Sequence, residues 1–401
     1  MYNVSYRKLA FLILGPLSGD LLAAMFLFWM NVQAVRMGVP PRSQAWIGAL
    51  FGVGYTLSSL LAARWSTRHN AARLLSIGIV AMTALGTLSL FTTQFGVSLV
   101  LATLLGVAVG DYFVPFQVMM GHVRPFATLA WTVAFYNISW GTGYACGPFL
   151  CGFLRGHSVW WLVTVAAGVS LAVLGLLRMV RHDPRSGDED RHPASVVHST
   201  PLLRRISWVS IAASCVLFAG LASTLWPALG GARGLSDKQI GLGLFVMGIQ
   251  LPLSSMIWAR VRNRLGQPWL LIGLDLLCGA GFLLLHLAPA WPWGLVGMAV
   301  FGFGHTGVIF HAVYYANADP ANPSRSVGIN ETVIGTGTVL GPLVLGALAW
   351  DDATSLRPYA AGTLLMVGAA IVGMILWRRG GTRAGAVAEG RIAFDLGVHA
   401  P

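Results

Sequence analysis

At 401 residues the chain is 56% hydrophobic and only 10% charged, with a mean hydropathy of +0.69, far more apolar surface than a soluble core of this length could hide. That excludes an ordinary soluble domain and points to a membrane protein. The net charge of +12 does not indicate nucleic acid, because the basic residues are scattered over short loops and form no DNA- or RNA-binding motif.

Apolar runs long enough to cross a bilayer as helices fall near 9–35, 45–63, 74–92, 96–121, 126–153 and 159–177, and again near 206–229, 240–258, 269–288, 292–316, 326–350 and 358–377. The expectation is an all-α membrane protein of twelve transmembrane helices. The first run lacks a small-residue cleavage site and reads as a retained helix rather than a signal peptide. Residues 178–205 are polar, proline-bearing and charged with both signs, which predicts a flexible linker. They divide the chain into six-helix bundles at 1–177 and 206–379. The Gly- and Ala-rich segment 380–401 is expected to be a flexible tail.

With the N-terminus inside, the outer side holds only Arg36, Arg42, Arg155, Arg233, Lys238 and Arg357, leaving 20 of the 26 Lys and Arg inside. The positive-inside rule then puts both termini in the cytoplasm and the protein in the cytoplasmic membrane.

Taken in order, the first helix carries Asp20 near its middle and Asn31 eleven residues on, a spacing that returns to one helical face. The second run ends in a basic loop with Arg64 and Arg68, and the eighth ends in Arg260 and Arg264, an echo at an offset of 196. Twelve spans in two halves with these loops resemble the major facilitator superfamily, over nearly the whole chain. In that family the loop motif carries an aspartate before its first arginine. Here Ala63 and Ala259 stand in its place, so the arginines act either in an inner gate or only as topology signals.

Asp111 lies in span four at a depth close to that of Asp20. The resemblance implies that spans one and four both line a central cavity, which would make Asp111 and Asp20 a proton-linked pair. The alternative is an aspartate held by neighbouring helix hydroxyls. Span five carries Tyr136, Asn137 and Trp140 and then Gly141-Thr-Gly-Tyr-Ala-Cys-Gly-Pro-Phe-Leu-Cys-Gly152, which recurs 194 positions later as Gly335-Thr-Gly-Thr-Val-Leu-Gly-Pro-Leu-Val-Leu-Gly346 with six of twelve residues identical. Gly143, Gly147 and Pro148, with Gly337, Gly341 and Pro342, are candidates for close helix packing and bending. The first set also resembles the span-five motif of the superfamily's antiporters, which implies export; packing symmetry explains it too.

The same offset maps Asp111 to His305 and Asn137 to Glu331. Ionisable groups at bilayer depth cost a few kcal/mol or more and usually mark a pathway. Asn31, Tyr136, Asn137, Trp140, His305 and Glu331 are therefore candidate cavity residues. A carbonyl-bonded histidine and a helix-start glutamate are the structural alternatives. Asp275, nearer the inner end of its span, reads as structural.

The two lysines, Lys8 and Lys238, follow no glycine-rich loop, so no phosphate-binding motif is present. No metal-ligand or nucleophile motif appears, and Cys146, Cys151, Cys215 and Cys278 all fall within predicted spans as packing residues. The expected function is secondary transport of a small molecule, without cofactor or metal, by a monomer in the lipid bilayer: proton-coupled efflux of an amphipathic compound. The alternatives are proton-coupled uptake of a sugar-like or organic-acid solute, and a non-transporting sensor or assembly protein of the same fold.

Overall fold

A bilayer core offers no water to backbone N–H and C=O groups, so a spanning chain satisfies them within helices. The computed structural model describes residues 6–67, 69–120, 129–181, 199–319 and 323–395, and there the chain forms twelve helices. They are α1 (Tyr6–Arg36), α2 (Pro41–Trp65), α3 (Ala71–Phe91), α4 (Phe95–Met120), α5 (Leu129–Leu154), α6 (Val159–Arg181), α7 (Pro201–Ala232), α8 (Asp237–Arg260), α9 (Pro268–Leu287), α10 (Trp291–Asn317), α11 (Pro323–Ala349) and α12 (Leu356–Asp395). Eleven are long and apolar enough to span a membrane; the exception is α5, whose Asn137, glycines and aromatic residues dilute its hydropathy. The apolar part of α12 ends at Arg379. The linker interior 182–198, the last six residues and Arg68 lie outside the described residues.

Helix contacts repeat between the halves. The packing of α1 on α5 matches that of α7 on α11, α2 on α4 matches α8 on α10, and α3 on α4 matches α9 on α10. The halves meet chiefly where α2 lies on α11 and where α5 lies on α8. This is a two-fold arrangement of two six-helix bundles.

Small residues set these crossings, because lipid tails compete with any side chain for apolar contact and close backbone approach is what distinguishes one helix partner from another. In α5, Gly143 faces the Leu17 carbonyl of α1, and a methyl on Gly147 would come within 2.6 Å of the Leu21 carbonyl. In α11, Gly337 faces Cys215 and Gly341 faces the Val216 carbonyl of α7. The opposite sides of the same helices carry Gly141 against Leu251 and Gly152 against the Asp237 carbonyl, matched by Gly335 against Thr56 and Gly346 against Ala45 and the Pro41 carbonyl. Each repeat therefore has one glycine side for its own bundle and one for the other half.

Prolines interrupt the ladder at defined places. Pro227 has no N–H for the Ser223 carbonyl, and α7 makes a π-helical turn over Leu221–Leu225 just before it. Gln44 of the other half donates from Nε2 to that carbonyl at 3.5 Å and to the Asn31 carbonyl at 3.4 Å. Pro252 likewise offers no N–H to the Gly248 carbonyl, and α8 breaks at Ile249. Leu57, Leu60, Trp160, Trp161, Leu171 and Leu364 point outward and form part of the lipid-facing belt.

Candidate functional site

Between the halves lies a cavity of about 230 Å³, room for a small solute rather than a macromolecule, lined by seven helices. Four of them contribute a single face each at a spacing of four: Val109, Phe113 and Gln117 of α4; Tyr136, Trp140 and Tyr144 of α5; His305, Ile309 and Val313 of α10; and Ile334, Thr338 and Pro342 of α11, one turn beyond Glu331. Asp20 enters from α1, Phe51 and Tyr55 from α2, and Phe218 from α7. By position along their helices the lining residues lie around the middle of the molecule, with Gln117, Val313 and Glu331 nearest the face on which α1 begins and Leu27, Gly48, Ser223 and Pro342 nearest the other.

The two acids of the wall, Asp20 and Glu331, come from opposite halves. Tyr55 and Tyr136 each lie within electrostatic reach of both carboxylates. Gln117 donates from Nε2 to the Tyr136 hydroxyl at 3.3 Å. His305 stacks on Phe218 with ring centroids 4.2 Å apart and lies parallel to Phe301 at 6.0 Å. Neither of its ring nitrogens has a hydrogen-bond partner among the described residues, although it is only 1% exposed.

Of the residues singled out from sequence, Asp20, Tyr136, Trp140, His305 and Glu331 line the cavity. Asp111 does not. It lies two positions from both Val109 and Phe113, so it points to the other side of α4, where Ser58 Oγ of α2 donates to it at 2.7 Å. Asn137 is fully buried beside the lining and accepts from Trp140 Nε1 at 3.3 Å. Asn31 is buried beyond the cavity and donates to the Leu27 carbonyl at 2.9 Å. Asp275 sits between α9 and α7, where Ser210 donates to it at 2.8 Å. The histidine of α10 bonded to its own helix is His311, on the Gly307 carbonyl, not His305. Arg64, Arg260 and Arg264 make no ion pair among the described residues, and Arg260 lies 5.9 Å from the Trp131 ring centroid. All four cysteines are free thiols, and Cys215 borders the cavity.

The far face is tied across the halves by charge. Asp237, at the start of α8, accepts Arg36 Nη2 of α1 at 2.6 Å and pairs with Arg155 Nε, just after α5, at 3.1 Å. Arg155 also donates to Gln33 and covers Trp29 at 4.3 Å. Burial holds its guanidinium below the ordinary arginine range, and Asp237 opposes that shift. Arg42 of α2 pairs with Asp351 after α11 at 3.2 Å and lies over Trp350 at 4.6 Å. In the sequence these arginines carry only a topology signal, and nothing near them points to the clasp. The signal available was Asp237 itself, one of the few acids on that face and the first residue after a capping serine. The inter-half glycines were missed as well, although Gly141/Gly335 and Gly152/Gly346 stand among the identical positions of the repeat.

A family model described as Major Facilitator Superfamily matches residues 12–223 and 207–395. An uncharacterized MFS-type transporter of Yersinia pestis is 25% identical over 343 residues, covering 84% of this chain and 87% of that protein. The methylenomycin A resistance protein of Streptomyces coelicolor is 28% identical over 159 residues, 37% of this chain and 32% of that protein. Among solved structures, a bacterial homolog to the human lysosomal transporter Spinster, in an inward-facing and occupied conformation, superposes with a TM-score of 0.69 at 13% identity, over 94% of this chain and 98% of that one.

Proposed function

Because this chain belongs to the Major Facilitator Superfamily, a family of multi-pass membrane transporters, we propose that it carries a small amphipathic molecule out of the cell in exchange for protons, by alternating access. The observation that carries the reading is the cavity shared by the two halves, with one carboxylate contributed by each. Rocking of the bundles along α2–α11 and α5–α8 would expose those acids to one side and then the other. The charge bias of the loops supports a cytoplasmic location for the face on which α1 begins, in an inner-membrane protein, and the clasp on the far face favours reading this state as closed on the outside.

The proton is assigned to Asp20, which meets the cavity and shares it with Tyr55, Tyr136, Tyr144, His305 and Glu331. Asp111, bonded to Ser58 one layer behind, remains a proton-linked candidate through the α2–α4 contact. Export is favoured over uptake by the glycine-proline segment of α5 and by the partial likeness to a resistance protein. The 178–205 linker, the two bundles it joins and a monomeric state complete the proposal.

The test is purified protein in liposomes under an imposed proton gradient, screened with amphipathic solutes by monitoring internal pH. Solute-dependent proton movement against solute flux supports antiport. Proton movement in the same direction as solute would replace it with uptake. Absence of any flux with ligand binding intact would leave a sensor.

A further inference from the structure

We propose that the solute is an amphiphilic organic cation whose charged nitrogen sits between Asp20 and Glu331 while its apolar body lies against Tyr55, Tyr136, Trp140 and Phe218. This rests on the transporter reading of the cavity and specifies its substrate class.

Charge is the first discriminator. Two carboxylates enter the cavity, and neither has a hydrogen bond or ion pair among the described residues. No Lys or Arg stands among the described lining residues, and Arg36 and Arg155 of the far face are already committed to Asp237. Asp20 is half-buried and Glu331 is exposed; a ligand that fills the cavity takes water from both carboxylates, and an opposite charge on that ligand replaces what the water supplied. An organic acid would meet the opposite situation, with like charge on both sides and no base among the described lining residues to receive it.

The polar inventory then separates a cation from a sugar. A polyhydroxylated solute needs a free donor or acceptor for nearly every hydroxyl it buries. Here Ser223 Oγ donates to the Ala219 carbonyl at 2.6 Å, Thr338 Oγ1 to the Ile334 carbonyl at 3.0 Å, and Gln117 Nε2 to Tyr136. Most of the remaining wall is hydrocarbon or aromatic ring, which suits an apolar body and offers ring faces to a cationic head. His305 is the independent sign of a ligand: buried, stacked between Phe218 and Phe301, and with both nitrogens unmatched among the described residues, it presents a flat polar edge at the cavity wall.

The decisive measurement is binding to the purified full-length protein by isothermal titration calorimetry with three probes of one shape: naphthylmethyl-trimethylammonium, its uncharged isostere neopentylnaphthalene, and the anion naphthylacetate. The cation is expected to bind at least about tenfold more tightly than the isostere, with no measurable binding of the anion. Asp20→Asn and Glu331→Gln, which keep shape, are each expected to weaken the cation by about tenfold while leaving the isostere within about twofold. Thermal unfolding of each variant checks that the fold survives, and the isostere's unchanged affinity checks the cavity. Equal binding of cation and isostere, tighter binding of the anion, or cation affinity indifferent to both acids would overturn the proposal. Binding that follows this pattern without proton-driven flux in liposomes would leave the substrate class standing and remove the export reading; proton-driven flux of uncharged solutes with no preference for cations would do the reverse.

Discussion

Replacing Asp237 by Asn should open the far face. The carboxylate is 19% exposed and takes Arg155, 12% exposed, on one oxygen and Arg36, 45% exposed, on the other. An amide keeps the volume but leaves two guanidinium groups without a counter-charge, one of them mostly desolvated. Breaking a buried pair costs about 3–5 kcal/mol and an exposed one about 0–1 kcal/mol. This mixed site falls between, at about 2 kcal/mol. All of it belongs to the state in which α1, α5 and α8 meet, so the balance with the far-open state should move about thirtyfold. Arg42–Asp351, 45% and 55% exposed, should be worth under about 1 kcal/mol, making Asp351→Asn a matched control. Spin labels at Met37 and Ala232, exposed at the ends of α1 and α7, would read the separation by double electron–electron resonance. Wild type and Asp351→Asn should give one short distance, and Asp237→Asn a second, longer population. Identical distributions in all three would refute the assignment of the clasp as a gate.

Gly147→Leu and Gly341→Leu should each cost about 1–3 kcal/mol by overpacking against the Leu21 and Val216 carbonyls, lowering turnover several-fold while the amount inserted in the membrane, measured by immunoblot, changes little. Asp20→Asn should abolish gradient-driven accumulation in liposomes while equilibrium exchange persists at saturating solute; if Asp111→Asn does this and Asp20→Asn does not, the proton belongs behind the cavity wall. Single cysteines in a cysteine-free background should react with a membrane-impermeant maleimide from outside intact cells at Met37 but not at Trp65; the reverse pattern would invert the topology.

The span boundaries were legible because a helix in lipid must be apolar over a fixed length, and the predicted runs differ from the helices by a few residues at most ends. The duplication was legible from one glycine-proline repeat. What could not be read was azimuth. Residue counting puts Asp111 and Asp20 at a similar depth, yet depth says nothing of which side of α4 a residue takes. Only the neighbouring lining residues Val109 and Phe113 reveal that Asp111 turns toward Ser58. The clasp on Asp237 was hidden for a related reason: it joins residues about 80 and 200 positions apart, and nothing local to Arg36 or Arg155 names a partner in the other half.

The π turn of α7 offers a vibrational reporter. Pro227 leaves the Ser223 carbonyl to Gln44, a long bond of 3.5 Å that crosses between the halves. Separation of the halves on the far face would hand that oxygen to water, and a carbon-13 label at Ser223 would then shift its amide I band to lower frequency on hydration. One isotopic bond could thus time the opening of the transporter in infrared spectra, without a bulky probe in a crowded crossing.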